Sequence, residues 1–206
     1  MKGKCWSYWK VAMIAMMAFG SFSAHATTKW SLVGLGNSAS PKPTNTYDEK
    51  MGVGGGLLFD INTGKKGSFE FGFLYAPKVA SFTITSAGKN YTSTFTVPTL
   101  EIPLLLRLWM NRVMSIGIGG VYFLQNSLIG DATIETVSGA ARLNSSVPVN
   151  GKGFGAEASL KFLIPFSHRF GLVLDGRYVY GISGAKWQEV EGIAGFCFGN
   201  NTRGGN

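Results

Sequence analysis

The segment Val97-Pro98-Thr99-Leu100-Glu101-Ile102-Pro103-Leu104-Leu105-Leu106-Arg107-Leu108-Trp109-Met110 constrains the fold more than any other part of the chain. Read with a period of two, it separates into Leu100, Ile102, Leu104, Leu106, Leu108 and Met110 on one side and Thr99, Glu101, Pro103, Leu105, Arg107 and Trp109 on the other. Successive side chains of a strand point to opposite faces. One face is therefore a continuous aliphatic stripe, and the other carries an acid and a base. A strand that spans a membrane reads this way, apolar toward lipid and polar toward a lumen. A soluble sandwich strand with its leucines toward a core gives the same alternation, so this segment alone leaves both open.

The start of the chain favours export. Lys2, Lys4 and Lys10 are followed by an apolar run from Val11 to Phe19 and then by Ala24-His25-Ala26. A basic start, a short apolar core and a small-x-small end make a signal peptide over residues 1–26. The run is too short to cross a bilayer as a helix. Residues 27–206 are then one β-barrel domain with a short C-terminal tail. Cys5 lies before the apolar run, so removing the signal leaves Cys197 as the sole cysteine and no intramolecular disulfide. The interior has no apolar run long enough for a membrane helix. The basic residues outnumber the acidic ones but are scattered, which suits anionic lipid head groups better than a nucleic acid.

Eight segments carry a strand signal, separated by turn-like breaks. They are Lys29 to Gly36, Met51 to Ile61, a third starting at Ser68, the segment described above, Met114 to Leu124, Phe154 to Phe166, Arg169 to Tyr180, and a short one from Gly192 to Phe198. In the third, Phe69, Phe71, Phe73 and Tyr75 alternate with Glu70, Gly72, Leu74 and Ala76. The breaks alternate in length. Asn62 to Gly67, Asn111 to Val113 and Ser167-His168 are tight, whereas 37–50, 79–91, 126–153 and 182–191 are long. That rhythm belongs to an all-β, eight-stranded antiparallel up-and-down transmembrane barrel, with turns on the periplasmic side and loops outside. Thr83-Ile84-Thr85 and Tyr91 to Phe95 predict a hairpin that continues beyond the membrane. The stretch 126–153 is polar and aperiodic, and is expected to be a mobile loop.

An apolar face does not say which way it points. The opposite faces here are mostly Gly, Ser and Ala, with isolated charges of both signs: Asp60, Glu70, Glu101, Glu157 and Asp175 against Arg107, Lys161 and Arg177. A water-facing surface carries more charge than this. Inside a narrow lumen such groups have to pair, because an isolated buried charge is too costly. These eight residues form the expected lumen network. Tyr75, Phe166, Phe170, Tyr178 and Tyr180 lie near strand ends, as an interfacial girdle requires.

Leu100-Glu101-Ile102-Pro103-Leu104-Leu105-Leu106-Arg107, Gly117-Ile118-Gly119-Gly120-Val121-Tyr122-Phe123 and Gly176-Arg177-Tyr178-Val179-Tyr180-Gly181 resemble successive blocks of the outer membrane protein beta-barrel domain family, the small eight-stranded barrels of Gram-negative bacteria. The resemblance covers most of residues 27–206 and implies the cell outer membrane as location and the outer-membrane assembly machinery as a partner. It carries no catalytic residues across. Such barrels typically end on an aromatic residue, whereas here Phe198 is followed by Gly199 to Asn206.

Chemistry is sparse. Gly52-Val53-Gly54-Gly55-Gly56 is no phosphate loop, since Leu57 to Ile61 continues as a strand and no helix follows. Ser167-His168 sits in a tight turn without a third, orienting group. No His, Cys, Asp or Glu spacing marks a metal site, and no cofactor is expected. Cys197 falls on the lumen face as a small buried residue. Eight strands enclose a lumen just wide enough for side chains, so a diffusion pore is disfavoured. The expected role is structural, or binding and adhesion to an extracellular partner through the loops, with outer-membrane lipid around the barrel and no nucleic acid. A lipid-modifying outer-membrane enzyme and a soluble periplasmic ligand-binding barrel are the alternatives.

Overall fold

In the computed structural model the described residues are 28–41, 48–64, 66–86, 89–125, 130–136, 139–145, 151–183 and 187–199, and they form strands and turns without a helix. The strands are β1 (Thr28–Pro41), β2 (Asp48–Asn62), β3 (Gly67–Tyr75), β4 (Lys78–Ser86), β5 (Lys89–Val97), β6 (Thr99–Trp109), β7 (Met114–Gln125), β8 (Gly130–Thr136), β9 (Gly139–Ser145), β10 (Gly151–Pro165), β11 (Phe170–Ser183) and β12 (Trp187–Gly199). Eight of them pair antiparallel in the ring β1-β2-β3-β6-β7-β10-β11-β12, and β12 returns to β1 from Lys29↔Gly199 to Pro41↔Trp187. The barrel is closed and leaves no unpaired edge in that ring.

These eight are the segments that alternation marks; β2, β10 and β11 each gain three residues at the long-hairpin end, and two strands gain more. β1 runs past Gly36 to Pro41, and β12 begins at Trp187 instead of Gly192. Both follow from one ladder, because Asn37↔Glu191 and Ala39↔Glu189 keep it going where the residues turn polar. A polar side chain is no break in a strand if it faces a polar lumen. The segment 1–26, expected as a signal peptide, and the tail 200–206 lie outside the described residues.

The turns that join β2 to β3, β6 to β7 and β10 to β11 are held locally. Thr63 N donates to Gly67 O at 3.1 Å, Met110 N to Met114 O at 3.0 Å, and Phe166 N to Phe170 O at 3.0 Å. The Asn111 side-chain oxygen accepts from Val113 N at 2.8 Å and Met114 N at 2.7 Å, so asparagine itself builds that turn. Gly199 closes the same rim. Its φ of 126° and a would-be Cβ contact of 2.8 Å with the Thr28 carbonyl oxygen both demand glycine.

At the opposite rim a second sheet continues upward. The start of β2, Asp48–Lys50, pairs with β4; β4 pairs with β5; β5 meets β8 at Thr92↔Glu135; and β8 pairs with β9. The β4–β5 hairpin is the one the sequence predicts. The stretch 126–153, expected to be an aperiodic mobile loop, instead contains the β8–β9 hairpin from Gly130↔Ser145 to Thr136↔Gly139. A ladder is made of backbone hydrogen bonds, so it needs no side-chain alternation to form.

Candidate functional site

The barrel is apolar outside and polar inside. On β6, Leu106 is 66% exposed and Leu108 60%, whereas Leu105 is 0% and Arg107 2% exposed. Leu32, Val53, Phe73, Ile118, Phe162, Leu174 and Phe196 continue the outward belt around the other strands. Aromatic rings crowd its tight-turn edge: Trp30 stacks on Phe198 at 4.4 Å, Phe59 on Phe71 at 5.0 Å, and Phe170 on Phe196 at 5.4 Å. Tyr75, Tyr178 and Tyr180 are exposed farther along the strands. Apolar surface of this extent is stable only against hydrocarbon, and a closed barrel satisfies its backbone there. The chain is a transmembrane β-barrel of the outer-membrane type, which excludes the soluble periplasmic alternative.

The lumen is filled from the tight-turn end upward. Its floor is Trp109, Leu163, Val173 and Cys197, with Trp109 Nε1 donating to Ser68 Oγ at 2.9 Å and the Lys29 ammonium 5.8 Å from the Trp109 ring. Above it lies an ion-pair network centred on Glu70. Arg107 grips Glu70 with Nε and a terminal nitrogen at 2.8 and 2.9 Å, Arg177 reaches it at 2.7 Å, and Lys161 also bonds to it. Asp175 accepts from Arg107 and Arg177, both at 2.8 Å, and from Ser159 at 2.6 Å. Arg177 also holds Glu157 at 2.7 Å, and Lys161 lies 3.3 Å from Asp60. Seven of the eight sequence-predicted residues, Asp60, Glu70, Arg107, Glu157, Lys161, Asp175 and Arg177, meet in this one network.

Glu101 does not join it. It belongs to a second cluster, closer to the long-hairpin rim, that sequence reasoning missed. There the Lys78 ammonium bonds to both Glu101 and Glu189, Asn37 Nδ2 donates to Glu189, and Glu191 completes the group. The carboxylates of Glu101, Glu189 and Glu191 offer oxygens all within 4.8 Å of one another, and all three residues are buried. The absence of metal-type spacing in the sequence thus does not carry over to space. Glu189 and Glu191 were legible in one respect: with Ile193 and Cys197 they keep the inward period of β12 back to its start. Lys78 had no such signal, because it opens β4 directly after Pro77.

The remaining motifs find structural explanations. Within Gly52–Gly56, a Cβ on Gly54 would lie 1.8 Å from the Tyr75 carbonyl oxygen, so close approach of β3 requires the glycine. Ser167 and His168 are exposed in the β10–β11 turn. Cys197 is buried in the floor.

No family model and no curated protein matches the chain. Among solved structures it is similar to the attachment invasion locus protein Ail of Yersinia pestis, bound to the heparin analogue sucrose octasulfate, at 11% identity and a TM-score of 0.49, covering 84% of this chain and 98% of that one. It is similar in the same way to Neisserial surface protein A, at 9% identity and a TM-score of 0.49, covering 84% and 98%. The outer membrane protein OprG of Pseudomonas aeruginosa is similar at 12% identity and a TM-score of 0.49, covering 84% and 95%.

Proposed function

We propose that this chain is a non-enzymatic protein of the cell outer membrane, in which the barrel is an anchor and the second sheet is the surface that engages a partner outside the cell. The observation that carries this reading is the division of labour along the axis. The lumen is occupied by ion-paired side chains, while β4, β5, β8 and β9 stand at the rim away from the tight turns, joined to the ring through the start of β2. A lumen filled in this way disfavours solute passage. A lipid-modifying enzyme would need a nucleophile, a base and an orienting group at one membrane face. Ser167 and His168 lie in a tight turn at the other rim, away from the second sheet. Lipid surrounds the belt, and the assembly machinery delivers the barrel to it.

The test is replacement of residues 126–150 by a short glycine-containing turn. The shortened barrel is expected to remain heat-modifiable on gels, and protease added to intact cells is expected to cut the full chain within this region. Adherence of cells bearing the full chain should fall in cells bearing the shortened one. Steady conductance of the purified barrel in a planar bilayer, or adherence unchanged by the replacement, would refute the reading.

A further inference from the structure

We infer that Glu101, Glu189 and Glu191 form a binding site for one divalent hard cation of the calcium class, inside the lumen near the long-hairpin rim. This requires the barrel alone and is independent of the binding role proposed above.

The first observation is a charge imbalance confined to one place. Around the Glu70 network and the floor, the inward-facing acids Asp60, Glu70, Glu157 and Asp175 are matched in number by Lys29, Arg107, Lys161 and Arg177. In the upper cluster, among the described residues, three carboxylates face a single ammonium, that of Lys78. Among these groups two negative charges are left in a buried setting, where uncompensated charge is expensive. A doubly charged cation offsets them.

The second observation is Glu191 itself. It is 2% exposed, and neither of its carboxylate oxygens accepts from an N–H or hydroxyl donor among the described residues; what lies beside it is the carboxyl group of Glu101. Its cross-strand neighbour Arg177 is committed to Glu70, Glu157 and Asp175, and the Lys78 ammonium to Glu101 and Glu189. A buried carboxylate with two bare oxygens, set beside two further carboxylates, is aimed at a ligand the protein does not supply.

Geometry and donor type then choose the ligand. Two oxygens on opposite sides of a calcium ion are about 4.6–5.2 Å apart, and on opposite sides of a magnesium ion about 4.0–4.2 Å. The oxygens of this cluster lie within 4.8 Å of one another, inside the span that a calcium ion bridges. An all-carboxylate set also selects a hard ion over zinc or copper. The cluster lies close to the long-hairpin rim, since Glu101 stands two residues inside β6 and Glu189 two residues inside β12 at those ends.

The experiment uses the full-chain barrel refolded in detergent, freed of metal with a chelator, and titrated with calcium chloride by calorimetry at constant ionic strength. The expected result is one saturable site per chain, weakened roughly tenfold or more in E191Q. E101Q provides the same comparison should E191Q fail to give a heat-modifiable barrel. Infrared spectra of the wild-type barrel supply a readout free of mutation, a calcium-dependent shift of the carboxylate stretch. Absence of calcium binding to the folded wild-type barrel overturns the inference and means that protons neutralise the cluster. Binding that survives unchanged in the folded variants overturns it as well, by assigning the ion to the outer surface.

Discussion

At the scale of single residues, the lumen separates groups by how many partners they hold. Glu70 accepts from Arg107, Arg177 and Lys161, whereas Asp60 has one contact, with Lys161 at 3.3 Å, and leaves its Oδ1 unpartnered. Removing one member of a buried pair leaves an uncompensated charge behind. E70Q is therefore expected to cost about 3–5 kcal/mol, and D60N no more than about 1 kcal/mol, in urea unfolding from lipid vesicles. Equal losses would mean that Glu70 is not the centre of the network. Which residues turn inward was legible from alternation alone. Which acid meets which base was not, because Lys161 and Arg177 reach Glu70 across the lumen, 91 and 107 residues away along the chain. Such contacts depend on the stagger of all eight strands, and nothing local to any residue encodes it.

At the scale of an element, β6 shows why the membrane-facing strands read so clearly. Lipid on one side and a packed lumen on the other impose opposite demands on consecutive residues, so the sequence of β6 carries the period-two pattern without interruption. Leu104 is 49% exposed near the middle of this strand, between Phe71 on β3 and Gly120 on β7. Leu104→Arg is expected to destabilise the barrel by about 2–4 kcal/mol if that position lies at the bilayer midplane. Folding titrations in vesicles measure the change, and a value near zero would take Leu104 out of the hydrocarbon. The β8–β9 hairpin was invisible for the converse reason. Its ladder is one of backbone pairs, and its sequence carries no sustained period-two alternation. The beginning of β12 lies between these cases: its inward glutamates obey the period, but their charge makes the segment look like a loop.

At the scale of the whole molecule, the barrel was legible in strand number and faces, while the second sheet that crowns it was only half so. The ring also has a property that its linear chain conceals. Lys29 of β1 lies opposite Gly199 of β12, so the two ends of the barrel are neighbours at one rim. Strand order around the wall is therefore cyclic, and numbering it from β1 is a convention of synthesis. A circular permutant with residues 28 and 199 joined by a short linker, and new ends cut into the Phe166–Arg169 turn, should reach the same heat-modifiable state with stability within about 1 kcal/mol of the parent. Loss of the folded band would show that the ends are part of the structure and not merely beside each other. The β1–β12 ladder pairs the most distant parts of the chain, and bringing them together carries the loop-closure entropy of the whole ring. Until β12 arrives, β1 has one free side, and the half-made wall is an open sheet whose edge any passing strand can join. A wall closed on itself thereby exchanges a reactive edge for a continuous ladder.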